Sequence, residues 1–327
     1  MLTYLIRRVL YAVPILLGVN VLIFLLFFYV NTPDDMAETV LGEQHATREQ
    51  VESWKREHNY DLPRFLNTAE AFPRLVTQTI FWQKSMPLFA FRFGKSDMDN
   101  VDIGADMASR IPYSLCITVP IFLGALLLNL FFAMIVAFYR GSYLDTAALV
   151  ACVLLMSVSM LFYIIGGQYL VATRLKLTPV SGFDPGLLHS LKFLALPIVI
   201  GIASRFGSGV RYYRTIFLEE INKDYIRTAR AKGLGEGAVL FRHALKNAML
   251  PILTNVVVEI PFLIMGSLLL EKFFGIPGLG SYTIEAIARQ DFAVIRAMVF
   301  LGSFLYVAGL IAVDVSYTRV DPRVRLG

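Results

Sequence analysis

The sequence predicts an all-α integral membrane protein with six transmembrane helices. Three observations lead there. The chain of 327 residues is 56% apolar and only 17% charged, against about 25% charged in soluble domains. Residues 9–30 and 111–139 form runs of 22 and 29 residues without a charge, and about 20 apolar helical residues cross a hydrocarbon core. Neither run alternates apolar with polar residues as a barrel strand would. Backbone amides in lipid must therefore bond within their own helix.

The first span is 9–30. Arg7 and Arg8 precede it as in a signal peptide, but the run exceeds a signal core of about 7–15 residues and no small-x-small site follows, so a retained helix is expected. The second span is about 111–139 and the third about 146–172. The fourth, 193–210, is interrupted by Arg205, and the fifth, 252–270, by Glu259. The sixth is about 297–313. Cys116 and Cys152 fall inside spans and read as buried small apolar residues.

Lys and Arg set the expected orientation. With the amino terminus inside, the inner segments 1–8, 140–145, 205–250 and 314–327 hold 2, 1, 9 and 3 basic residues. The short outer loops 173–192 and 271–296 hold 3 each. Both termini are expected to be cytoplasmic, and the net charge of +5 needs no nucleic acid to explain it. The organisation that follows is 1–30 (amino terminus and first span), 31–110 (an external segment with short helices) and 111–327 (a core holding the other spans and a polar arm at 211–250).

Within the external segment, Thr47 and Gln50 have capping-box spacing, and Val51 and Trp54 share one helical face. Phe81, Trp82, Phe89, Phe91 and Phe93 follow at a density suited to an interface. Catalytic signatures are absent from the sequence. The FGKS at 93–96 lacks the earlier Gly of a phosphate loop, with Phe89 in its place. His45, His58, His189 and His243 are scattered, and no HExxH, CxxC or Gly-x-Ser-x-Gly occurs. No catalytic residue and no metal site is expected.

The arm is the most informative stretch. A helix is expected over 221–232, with Ile226 and Ala229 on one side and Arg227, Arg230 and Lys232 on others. Gly233, Gly235 and Gly237 permit a sharp turn, and Val239, Leu240 and Phe241 resume an apolar face. Physics alone leaves two readings open: a helix–turn–helix that docks on an acidic partner, or an anchor on anionic headgroups. Glu259 likewise has two: a pore-lining group that meets an ammonium or cation, or a carboxyl bonded to a neighbouring helix, since a charge there costs ~3 kcal/mol on insertion scales. Asp314 and Arg205 are expected near watery ends, Asp314 as a cap or pair. Asn20 and Asn129 are expected to make helix–helix hydrogen bonds.

The arm's DYIRTARAKGL and FRHALKNAMLP resemble the cytoplasmic loop of binding-protein-dependent ABC importer permeases, most closely the dipeptide/oligopeptide/nickel family. Arg227-Thr228-Ala229 stand where the superfamily has Glu-Ala-Ala, Gly233 is its Gly, and Gly233 to Pro251 has the longer spacing of the peptide branch. Four further stretches agree: the opening MLTYLIRRVLYAVPILLGV, the external LGEQHATREQVESWKREHNYDLP with its FGKS, LTPVSG before the fourth span, and LLLEKFFGIPGLGSYTIEAI before the last. VDPRVR closes the chain. One departure is Ser159, where the family usually has Pro, which puts a kink there in doubt.

The resemblance implies the type I ABC importer permease fold and a non-enzymatic role. The chain would form a path for peptides or related small solutes. Implied partners are a second homologous permease (a heterodimer), two ABC ATPase subunits and an external or periplasmic binding protein, in a bacterial inner membrane. ATP and Mg would be bound by the ATPases and no cofactor by this chain. Arg227, Thr228, Ala229, Arg230, Gly233, Leu234, Gly235, Glu236, Val239 and Leu240 would couple to the ATPase, with Leu234, Val239 and Leu240 docking apolar surface and Arg227, Arg230 and Lys232 orienting the contact. Glu259 keeps both readings given above, lining the path or bonding a neighbouring helix. Phe273, Phe274, Pro277 and Gly278 would form an outer gate, the other reading of that loop being a re-entrant connector. The rival function is an ion-gradient-driven transporter with Glu259 carrying protons.

Overall fold

The computed structural model describes residues 2–42, 46–68, 70–184 and 187–320. His45 and most of the VDPRVR motif lie outside them. Among the described residues the chain is helical, with one isolated bridge between Lys95 and Asp102 and no strand. Four helices are long and apolar enough to cross a membrane, and six spans result if each of two bent helix pairs is one. The unbroken ones are 6–30, 103–138, 191–221 and 292–316.

The expected third span is broken. α5 (Tyr143–Ser157) and α6 (Met160–Gly167, continuing in a π-helical turn to Arg174) meet at 86°. No proline sits at the bend. Ser159 adopts extended backbone before α6, and the Tyr163 hydroxyl donates to the Leu155 carbonyl at 2.9 Å, one of those freed by the break. The doubt raised by Ser159 is thus resolved in favour of a bend. The fifth span is broken by 45° between α9 (Leu245–Glu259) with its 3-10 extension to Leu263, and α10 (Leu268–Phe274).

Two compact units emerge. One comprises 1–111 and 282–311, so it takes in part of the stretch that the sequence reading kept within the 111–327 core. Here α1 (Leu2–Leu25) and the π-helical turn that continues it to Val30 pack Phe24 and Phe28 on Met36, Trp54, Tyr60, Ile80, Leu88 and Phe300. Ring centroids of Phe24 lie 4.8 Å from Phe28 and Phe65 and 5.1 Å from Phe81; such pairs add about 0.5–1.5 kcal/mol beyond burial. Helices α2 (Pro33–Leu41) and α3 (Arg48–Glu57) each begin in a reciprocal capping box, Thr32 with Asp35 and Thr47 with Gln50. Val51 and Trp54 are buried as the helical spacing requires. Asn20 bonds the Ser85 carbonyl at 2.9 Å rather than another span.

A polar knot completes this unit. The Ser96 hydroxyl of FGKS donates to Asp291 at 2.5 Å, and Tyr60 donates to Asp97 at 3.0 Å. Asp97 and Asp291 accept the first amides of the last helix, from Ala293 at 3.2 Å and Val294 at 3.2 Å. Two carboxylates thus cap a helix start, where the dipole favours negative charge. Burial raises Asp97 above the ordinary carboxylate value, while Arg296 pulls the other way. Burial, reinforced by the Arg296 charge, brings the Lys84 ammonium down to about 8.

The second unit comprises, among the described residues, those of 112–281 and 312–320. It contains most of the remaining spans: α4 (Ile103–Phe138) from Pro112 onward, α5, α6, α7 (Leu187–Ile221), α9 and α10. Cys152 is buried there, whereas Cys116 is exposed on α4, contrary to expectation.

Candidate functional site

The second unit carries a cleft, an arm and a knotted loop. The cleft has a volume of about 530 Å³, ordinary for a small-molecule site. α4, α7 and the broken fifth span line it. The irregular backbone between Ile260 and Ser267 borders it, as expected of non-helical chain at membrane depth, and the Thr118 hydroxyl occupies the freed Leu263 carbonyl at 2.8 Å.

Glu259 lines this cleft and meets Arg205, Nη1 to Oε2 at 3.3 Å. Arg205 sits within the continuous helix α7 (Leu187–Ile221). Two spans with one charge each, of opposite sign, were a readable signal for this pair. Around it stand Asn129, Tyr212, Tyr213 and Asn255. Asn129 is buried against Gly209 of α7, and its Oδ1 has no partner. Phe273, Phe274, Pro277 and Gly278 do not line the cleft.

Those four residues belong to the loop tied by Glu271. This carboxylate is wholly buried. It accepts the Ser267 and Ser281 amides at 3.0 Å each, with the Gly280 amide and the Ser114 hydroxyl also bonded. A Cβ at Gly266 or Gly278 would collide with its oxygens, which explains glycine at both positions. Phe274 is buried with Leu270 and Ile276 and is no mouth plug, whereas Phe273 and Pro277 are exposed. The LTPVSG stretch is pinned to the same loop. Gln168 bonds the Val180 and Phe273 carbonyls at 3.0 and 3.1 Å, and the Gly182 amide bonds the Phe274 carbonyl at 2.8 Å. Sequence reasoning did not single out Glu271, the residue that ties this loop.

The arm is a helix–turn–helix. α8 (Asp224–Ala231) buries Ile226 and Ala229 against Phe217, Val239, Leu240 and Ala244. Val239 and Leu240 thus hold the arm to its base and cannot dock elsewhere, as does Ala229; this corrects the expected docking surface. The exposed tip runs 231–238 and offers Leu234 as its one large apolar side chain. Gly233 has φ +79° with open space around it, so glycine is there for the turn, not for close packing. Arg230 forms a two-bond pair with Glu236 at 2.7 and 3.0 Å, which spends its charge inside the arm and fixes the turn. Arg227, Thr228, Lys232 and Gly235 remain exposed.

The base is clamped. Arg214 grips Asp145 through Nε and Nη2 at 2.8 and 2.7 Å. Glu220 accepts Lys223 and the Tyr225 hydroxyl, each at 2.5 Å. Burial, with that bond to Glu220, pushes the Tyr225 phenol up to about 12. The arm is thus joined to α7 and α9 by charged and apolar contacts.

Residues 105–326 match the family described as binding-protein-dependent transport system inner membrane component, and 1–118 match its amino-terminal part. The chain belongs to this family. A putative peptide transport system permease protein of Brucella abortus (strain 2308) is 33% identical over 98% of both chains. A probable peptide ABC transporter permease protein of Sinorhizobium fredii is 29% identical, covering 98% of this chain and 99% of its own. The glutathione transport system permease protein GsiC of Shigella flexneri is 28% identical over 99% of both. Membership in a binding-protein-dependent family sets aside the ion-gradient-driven alternative. It accounts for the membrane-spanning helices as those of a transport permease.

Proposed function

We propose that this permease forms half of the path of an ATP-driven importer for peptides or similar small solutes. Its partners are a homologous permease, two ATPase subunits that bind ATP and Mg, and an external binding protein. It lies in a bacterial inner membrane with both termini and the arm on the cytoplasmic side, as the nine basic residues of 205–250 favour. The names of the relatives support the substrate class. Family membership and this arrangement of tip and base support the non-enzymatic role: the chain supplies a passage and a lever, while hydrolysis belongs to the ATPases.

One observation carries the coupling role: an exposed turn bearing Leu234 stands on a base that is buried and ion-paired. The tip enters a groove on the ATPase. ATP binding there favours one conformation of the pair, and differential affinity for the two conformations drives the path between them. The test compares Leu234→Asp with Val239→Asp. The first should leave the permease inserted and folded, yet lower ATPase co-purification and peptide uptake at least tenfold. The second should destabilise the permease itself, read by thermal unfolding in detergent. Full ATPase retention and uptake in Leu234→Asp would overturn the coupling role.

A further inference from the structure

Resting on the peptide reading above, we infer that Arg205 and Glu259 form an exchange pair that receives the two charged ends of a free-ended short peptide inside the cleft. The pair has features of a replaceable contact. It is held by a single contact of 3.3 Å, not by a two-bond fork. Both side chains are open to the cleft, 54% and 41% exposed. By contrast, Asp145 and Arg214 in the same unit make two short bonds and are 9% and 15% exposed. A guanidinium carries five donors, so most of Arg205's capacity is uncommitted.

Charge balance gives the selectivity. Each charge within a span needs a counter-charge, because an unpaired one is expensive. A zwitterion whose carboxylate goes to Arg205 and whose ammonium goes to Glu259 replaces one pair with two. Two residues span about 7 Å, so the side chains part to admit the peptide between them. A solute blocked at one end leaves one protein charge unmatched and is rejected on that account. The cleft of about 530 Å³ fits a short peptide. Polar side chains flank the pair: Tyr212 and Asn255 also line the cleft. Their hydroxyl and amide suit the peptide amide.

The test uses the assembled transporter in nanodiscs without its binding protein, so that only the cleft selects. The probes are Ala-Ala, N-acetyl-Ala-Ala and Ala-Ala amide, read by saturation-transfer NMR. Wild type should bind Ala-Ala at least tenfold more tightly than either blocked form. Glu259→Gln should lose discrimination against the acetylated form only, and Arg205→Gln against the amide only. The exchanged double variant, Arg205→Glu with Glu259→Arg, should regain both preferences, which separates lost recognition from misfolding. Equal binding of all probes to wild type would overturn the site, as would single variants that weaken all probes alike. Ala-Ala uptake by cells is measured in parallel. Uptake without end preference removes this site and leaves peptide import standing. End preference without uptake supports the site and counts against peptide import.

Discussion

Glu259 and Glu271 flank the same break in the fifth span and live under opposite conditions. Glu271 is closed off and accepts backbone amides on both oxygens. Glu259 faces a cleft with one long contact to a side chain that can move. Backbone donors cannot be exchanged for a ligand without unfolding the loop, whereas a guanidinium can. The first carboxylate is part of the architecture and the second is available to a visitor. Charge in a span is thus not evidence of transport by itself; the kind and number of its partners decide.

The largest effect should come from Glu271→Ala. It orphans buried donors from Ser267 and Ser281 and opens a cavity, and breaking such a buried charged network costs about 3 kcal/mol or more. The loop of Gly278 and the pinned LTPVSG stretch should lose protection together. Thermal unfolding and protease cutting of the purified permease measure this, and an unchanged melting temperature would remove the distinction between the two carboxylates.

How much of this was readable beforehand follows the same line. Apolar runs place the spans, because lipid allows few structures for a chain of that composition. The Thr47–Gln50 cap was legible because its partners are three residues apart. The Ser96–Asp291 bond and the tie from Ser114 to Leu279 were not, since they join positions far apart in sequence that only the fold brings together. Val239 and Leu240 were misplaced for a related reason. An apolar stripe on a polar arm says that something covers it, and here the cover is α8 of the same chain. The bend at Ser159 shows the converse: proline is sufficient to break a helix and is not required.

A middle case sharpens the comparison. Lys84 is partly buried beside Arg296 and Asp97, and its folded-state value of about 8 lies below the ordinary lysine value of 10.5. Between those values the unfolded chain binds the extra proton, so stability rises with pH across that window and is flat below it. Lys84→Met should abolish this rise and stabilise the permease by about 1 kcal/mol at neutral pH, allowing for solvent screening. Melting temperatures of both proteins at pH 7.5 and pH 10 test it. Their difference should shrink at the higher pH, and a constant difference would mean that burial does not govern this ammonium.

The smallest effect on stability should come from Glu259→Gln. A half-exposed single contact contributes under about 1 kcal/mol, and the amide can still accept from Arg205. The melting temperature should shift by only a degree or two, well short of the change in Glu271→Ala. The same substitution should alter recognition of a peptide amino end, so stability and binding should respond in opposite proportion at the two carboxylates. A large loss of stability in Glu259→Gln would mean that the pair, like Glu271, is holding the helices together. The cleft would then have no charge to spare for a passing solute.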